Sequence, residues 1–175
     1  MNHGRLFSAG VIGGVAFSIA SSIFRAAGIH IDLELWLGTL VVGPGSAAWL
    51  IGFFWHVTLS GFLAIAYGRA FMALRRSNVA TGVRLSIFHM VLTGMVIGVM
   101  PLLHPRIAEL VPAPGFFLTA DGLAGVIALI AVHLAYGAVV GSLAEAVSVR
   151  APALRRSRVF RTSSPPRPSR EIAAL

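Results

Sequence analysis

Charge is missing from four long stretches of this chain, and that absence decides what it can fold into. All 14 basic residues are Arg. Between them lie apolar stretches at roughly 6–24, 48–67, 85–103 and 122–147, the cores of expected spans at about 6–26, 48–74, 82–103 and 116–148. An α-helix rises 1.5 Å per residue, so each block can cross a hydrocarbon core roughly 30 Å thick. Backbone amides in lipid find no water, so a crossing segment must be a helix or part of a closed barrel. The ten-residue alternation of a membrane barrel is not visible. The expected fold class is all-α and integral to a membrane. It is a four-transmembrane-helix bundle over residues 1–150, with a short extracytoplasmic interfacial helix.

The composition agrees. With 57% hydrophobic and 11% charged residues, the chain has too little polar surface to cover a soluble domain. A net charge of +8 raises the question of nucleic acid. The Arg residues flank the apolar blocks instead, as topology determinants and anionic-lipid contacts do. The expected partner is the lipid bilayer, not nucleic acid. Cysteine is absent, which excludes disulfides, thiolate metal sites and a Cys nucleophile.

Arg5, Arg69, Arg75, Arg76, Arg84, Arg150 and the six Arg beyond it fall on one side of the expected membrane, 12 in all. Only Arg25 and Arg106 fall on the other, with Asp32, Glu34, Glu109 and Asp121. The positive-inside rule then places both termini and the middle loop in the cytoplasm. Arg5 followed by an apolar run also has the pattern of a signal peptide. The run is long for one, and an uncleaved span keeps the charge pattern consistent.

Segment 31–43 opens polar, turns apolar and breaks at Gly43-Pro44-Gly45. It is too short to span. A short helix at the outer interface suits it, with Trp36 at headgroup level; a re-entrant element is the alternative. Pro101, Pro105, Pro112 and Pro114 stiffen the loop between the third and fourth spans. Residues 151–175 are rich in Arg and Pro and poor in apolar residues. They read as a disordered cytoplasmic tail whose Arg cluster rests on anionic lipid.

Small residues recur at four-residue spacing in every span. They are Gly10, Gly14, Ser18 and Ser22; Ser60, Ala64 and Gly68; Gly94 and Gly98; Gly137 and Gly141. Such stripes let helix backbones approach closely in lipid. They serve either the bundle itself or assembly into a homo-oligomer. The second and fourth spans also share a pattern. His56 is followed by Ser60-Gly61 and Tyr67-Gly68, and His133 by Tyr136-Gly137 and Gly141. A duplicated hairpin with parallel halves would produce this.

His56, His89 and His133 lie inside spans, where polar side chains usually face the bundle interior. Measured from the nearest Arg, His56 lies about 20 Å deep, His133 about 25 Å and His89 about 8 Å. His56 and His133 would share a layer, with His89 nearer the cytoplasm and His104 at the outer boundary. Three readings stay open. Each imidazole bonds a neighbouring hydroxyl or carbonyl and fixes helix register. Or His56 and His133 ligate a metal ion or haem iron. Or the histidines, with Tyr136, relay protons or line a permeation path. Glu145 is the one acidic residue within the apolar stretch 122–147. It reads as an interfacial carboxylate beside an Arg, or as the inner end of a proton path. Its offset of about 18 Å from His133 prevents direct contact.

No phosphate-binding loop, dinucleotide fingerprint, His-Glu-x-x-His or nucleophile elbow is present. Several motifs together resemble small bacterial four-span inner-membrane proteins, loosely the YagU-like group. These are the Gly-rich first span, the acidic segment ending in Leu37-Gly38, and Trp49, Trp55, His56, Tyr67 and Gly68. His89 with Met100-Pro101, and His133 through Gly137, complete the set. The resemblance implies a four-span fold and supplies no catalytic residues. The leading expectation is a non-enzymatic inner-membrane protein without a cofactor, acting as a small transport or accessory component. A haem- or metal-binding membrane protein and an oligomerising structural protein are the alternatives.

Overall fold

The computed structural model of the chain describes residues 2–107 and 109–162, with side chains described as far as Ala146. Helices α1 (His3–Ala26), α2 (Leu33–Gly38), α3 (Ser46–Leu74), α4 (Val79–Leu103) and α5 (Gly122–Thr162) follow in order. A 3-10 segment, Phe116–Asp121, precedes α5. Four apolar helices are long enough to cross a membrane: α1, α3, α4 and the run Phe116–Ala146. The chain is an all-α four-helix membrane bundle. Helical backbone continues to Thr162, into the segment expected to be disordered. The rest of that tail, 163–175, lies outside the described residues.

Local signals set the helix ends. Asn2 and Asn78 cap α1 and α4 by accepting from the amides of Arg5 and Thr81. Gly28, at φ +85°, closes α1 in a conformation that favours glycine, and the Ile29 amide returns to the Phe24 carbonyl.

The side-chain distribution is the reverse of a soluble bundle. Large apolar residues such as Ile23, Phe54, Phe62 and Phe88 are exposed, while Ser18, Ser21, Ser60, Ser86, His56 and His133 are buried. Lipid tails are as apolar as Leu, so helices in lipid associate through small-residue packing and polar contacts.

That packing is repeated. In the hairpin α1–α3, Gly10 lies against Ser60 and Ala64, and Gly14 against Ser60. In the hairpin α4–α5, Gly82 lies against Gly137 and Gly141, and Ser86 against Gly137. The correspondence runs from Gly10 to Gly82, Gly14 to Ser86, Ser60 to Gly137 and Ala64 to Gly141, at constant spacing. It extends to the ring pairs above. Phe17 meets His56 at 4.7 Å and 68°, and His89 meets His133 at 4.9 Å and 69°.

The junction between the hairpins breaks the symmetry. Helices α1 and α5 pack closely, whereas α3 and α4 barely touch despite the short turn joining them. On α1, Gly13 admits the Tyr136 ring and Val140. Its counterpart on α4, by the same spacing, is Leu85, a residue with bulk where Gly13 has none.

Gly94 and Gly98 depart from the packing expected of them. They receive the rings of Phe117 and Phe116 from the 3-10 segment, not a neighbouring membrane helix. The short helix within 31–43 is α2. Trp36 is 3% exposed and Glu34 fully buried, so both side chains are covered by protein. The physical cause lies on α3. Ala48 and Gly52 leave no bulk there, and the backbone of α2 at Gly38 and Glu34 lies directly on theirs.

A Cβ at Gly10 or Gly82 would collide with the backbone carbonyl of Ser60 or Gly137. Gly10→Val and Gly82→Val should each destabilise the bundle by about 1–3 kcal/mol or more. Gly43→Ala, with open space around it, should be neutral. Unfolding midpoints in detergent check this, and equal midpoints for all three variants would contradict the packing described.

Candidate functional site

The site begins with a carboxylate that the spans do not contain. Seated on Ala48 and Gly52, α2 carries the fully buried Glu34 into the bundle. An isolated buried charge is costly, and its partner is Arg25 at the last turn of α1. Arg25 Nη1 donates to Glu34 Oε2 at 3.0 Å and to the Ile31 carbonyl at 3.0 Å. Arg25 also lies 3.5 Å from Asp32 and over the Trp49 ring at 6.0 Å. Burial pushes the Asp32 carboxyl above its ordinary range, partly offset by Arg25.

The second oxygen, Glu34 Oε1, faces His56 Nδ1 at 3.7 Å, and Ser18 Oγ lies 3.1 Å from the same nitrogen. The Phe17 ring packs edge-on against His56 at 4.7 Å and against His133 at 5.4 Å. His89 completes the layer at 4.9 Å from His133. Below it, the Tyr67 ring is 6.4 Å from His89 and 5.6 Å from Tyr136. The structure therefore brings His56, His89, His133 and Tyr136 together and adds Glu34.

His133 Nδ1 lies 2.8 Å from the Leu129 carbonyl, which only accepts. Nδ1 therefore carries the proton, and Nε2 of the neutral ring is an acceptor. The Tyr136 hydroxyl donates to the Ser60 carbonyl at 2.7 Å and ties α5 to α3. Four buried polar atoms find no hydrogen-bond partner among the described residues: Ser21 Oγ, Glu34 Oε1, Tyr67 Oη and His89 Nδ1. Each such atom left without a partner costs about 1–3 kcal/mol, and Glu34, Tyr67 and His89 carry three of them around the histidine layer. Among the described residues, no group of three or more His, Asp or Glu is arranged to hold a metal ion.

The histidines floor a crevice of about 400 Å³ between α3 and α4. Buried Ser60 and Ile97 form its depth, and exposed Leu59, Leu92 and Val96 its mouth. The depth expected for His89 needs correction, because Arg residues do not mark one plane. Gly141 is level with the turn at Asn78 and Val79, so α5 runs past that turn before reaching Arg150. Arg84 sits more than a turn inside α4. His89 and His133 therefore meet. Glu145, exposed and beyond Gly141, stands apart from the histidine layer. His104 is a clasp between α2 and the end of α4. Its Nε2–H donates to the Trp36 carbonyl at 2.8 Å, and its Nδ1 accepts from the amides of Arg106 and Ile107. The guanidinium of Arg106 donates to the Thr39 carbonyl beside it.

Outside the spans, His30 pairs with Asp121 of the 3-10 segment. The backbone amide donates to one carboxylate oxygen at 2.9 Å and Nδ1–H to the other at 2.8 Å. That hydrogen bond, and then the Asp121 charge, raise the His30 imidazole above 6.5.

Arg25→Met should destabilise the chain by about 3–5 kcal/mol by leaving Glu34 unpaired, and a second change, Glu34→Leu, should recover most of it. A double-mutant cycle on unfolding free energy measures this coupling, and additive losses would contradict the pairing. The His30–Asp121 contact stabilises fully below pH 6.5 and weakens as pH rises through the elevated folded-state value. Protection of the 116–121 amides, measured relative to their intrinsic exchange rates, should therefore fall above neutral pH in the wild type, and show no such step in His30→Gln.

Compared with known protein families, curated protein sequences and solved structures, the chain has no match.

Proposed function

We propose that this chain is a multi-pass inner-membrane protein in which the histidine layer passes protons, as a small transport component. The observation that carries the reading is Glu34. One of its oxygens is held by Arg25, and the other is unpartnered 3.7 Å from His56 Nδ1. A buried carboxylate facing an imidazole is the donor–acceptor arrangement of membrane proton relays. One water or a small side-chain rotation closes such a gap. From His56 the polar groups continue past Phe17 to His133, His89 and Tyr67. Phe17 stands between the first pair and the rest, so passage requires its ring to move or water to bypass it.

The Arg distribution supports an orientation with the α2 end extracytoplasmic and both termini in the cytoplasm. Glu34 then serves the outer mouth. The Arg-rich tail suits a cytoplasmic face of anionic lipid. A haem or metal ion held between His56 and His133 is the weaker reading, because the Phe17 ring edge packs against both imidazoles.

Vesicles containing the protein and a trapped pH dye, with a potassium diffusion potential applied, should acidify. Glu34→Gln and His56→Phe should lower the rate by about a hundredfold, while Glu145→Gln should leave it unchanged. Absence of wild-type flux, or an unaltered rate in Glu34→Gln, would overturn the reading.

A further inference from the structure

The crevice between α3 and α4 shares His56 with the Glu34–His56 pair but opens on a different surface and has its own chemistry. Its mouth opens on the side of the bundle at Leu59, Leu92 and Val96, which are about half exposed. These residues face lipid in a membrane, so the route in is from the bilayer. Its floor carries His56, His89 and His133, with the Ser60 and Thr93 side chains lining the same space. Imidazoles and hydroxyls at the base of an apolar slot require an occupant that hydrogen-bonds at one end and is greasy at the other.

Charge narrows the class. No Arg, Asp or Glu lines the crevice, so a phosphate or ammonium headgroup would enter unpaired. A neutral head is required. His133 offers an acceptor at Nε2, and His89 has a buried nitrogen without a partner. A ring bearing hydroxyl or carbonyl oxygens supplies a donor to the first and, once the His89 imidazole turns toward the crevice, a partner to the second, and about 400 Å³ lies in the range of small-molecule pockets.

The repeat supplies an internal control. At the position equivalent to His89, the first hairpin carries Phe17, in the same geometry against its histidine. Packing is therefore satisfied by Phe there, and the imidazole of His89 answers a different demand. Helices α3 and α4 barely touch, which leaves the slot open between them, whereas Gly13 lets α1 and α5 close. We propose that this crevice binds a neutral, lipid-dissolved ring compound of the quinone–quinol class, entering between α3 and α4 with its oxygens on His89 and His133. This does not depend on proton passage, and its test reads binding alone.

The probe is a decyl-tailed azidobenzoquinone, photolysed with the full chain in phosphatidylcholine nanodiscs and mapped by peptide mass analysis. Labelling should saturate, concentrate on α3 and α4 at the crevice, and be displaced by unlabelled decyl-benzoquinone. His89→Phe should weaken binding by about tenfold while keeping the ligand-free unfolding midpoint. Val96→Trp, which fills the mouth, should abolish it. Labelling that never saturates, or that spreads evenly over the exposed faces, would overturn the proposal by showing partition into lipid. Unchanged affinity in His89→Phe would overturn it as well. So would displacement by phosphatidylglycerol as effective as that by the quinone, which would identify a headgroup site.

Discussion

Backbone contact at small residues is the constraint on which the rest of the molecule depends. In lipid, no hydrophobic gain draws helices together, so they join where nothing stands between their main chains. Gly10 on Ser60 and Gly82 on Gly137 are such points. Once they are fixed, the residues one turn further along have no choice of partner. Phe17 must meet His56 and His89 must meet His133, at nearly identical distances and angles. The histidine layer is a product of two glycine contacts more than of the histidines themselves. Tyr136 then joins the hairpins, its ring on Gly13 and its hydroxyl on the Ser60 carbonyl.

The same principle explains a buried charge in a segment that reads as superficial. A six-residue helix cannot drive itself into a bundle by its own apolar surface. It enters because Ala48 and Gly52 remove the side chains that would keep it out, and because Arg25 waits at the end of α1 for Glu34. His104 and Arg106 then hold the Trp36 and Thr39 carbonyls from the far side. Two carbonyls at the end of this short helix are thus met by side chains from another element, as irregular backbone away from water demands.

The spans were legible because span length and missing charge are properties of contiguous residues. Their bounds agree within a few residues with α1, α3, α4 and the run to Ala146. The histidines were legible as intramembrane polar groups, and the likeness of the second and fourth spans pointed toward the two-hairpin repeat. Glu34 was not legible as part of their site. It lies beside Asp32 and His30 in a polar stretch, and only Gly52, distant in sequence, reveals that it turns inward. The depth of His89 was misjudged because α4 and α5 end at different heights. The aromatic partners of Gly94 and Gly98 were hidden because a small-residue stripe does not announce whether it will meet a helix or a ring. Phe117 and Leu118 adopt left-handed backbone to deliver one of those rings, a conformation no residue pattern there foretells.

Gly13 in one hairpin and Leu85 at its counterpart in the other accompany an unequal joining of the helices. Helices α1 and α5 form a spine. Helices α3 and α4 hang from it like the covers of a book, tied to each other by the turn at one end and through α2, His104 and Arg106 at the other. Spreading the covers between those two ties separates little packed surface, whereas parting the spine would break the glycine seat of Tyr136.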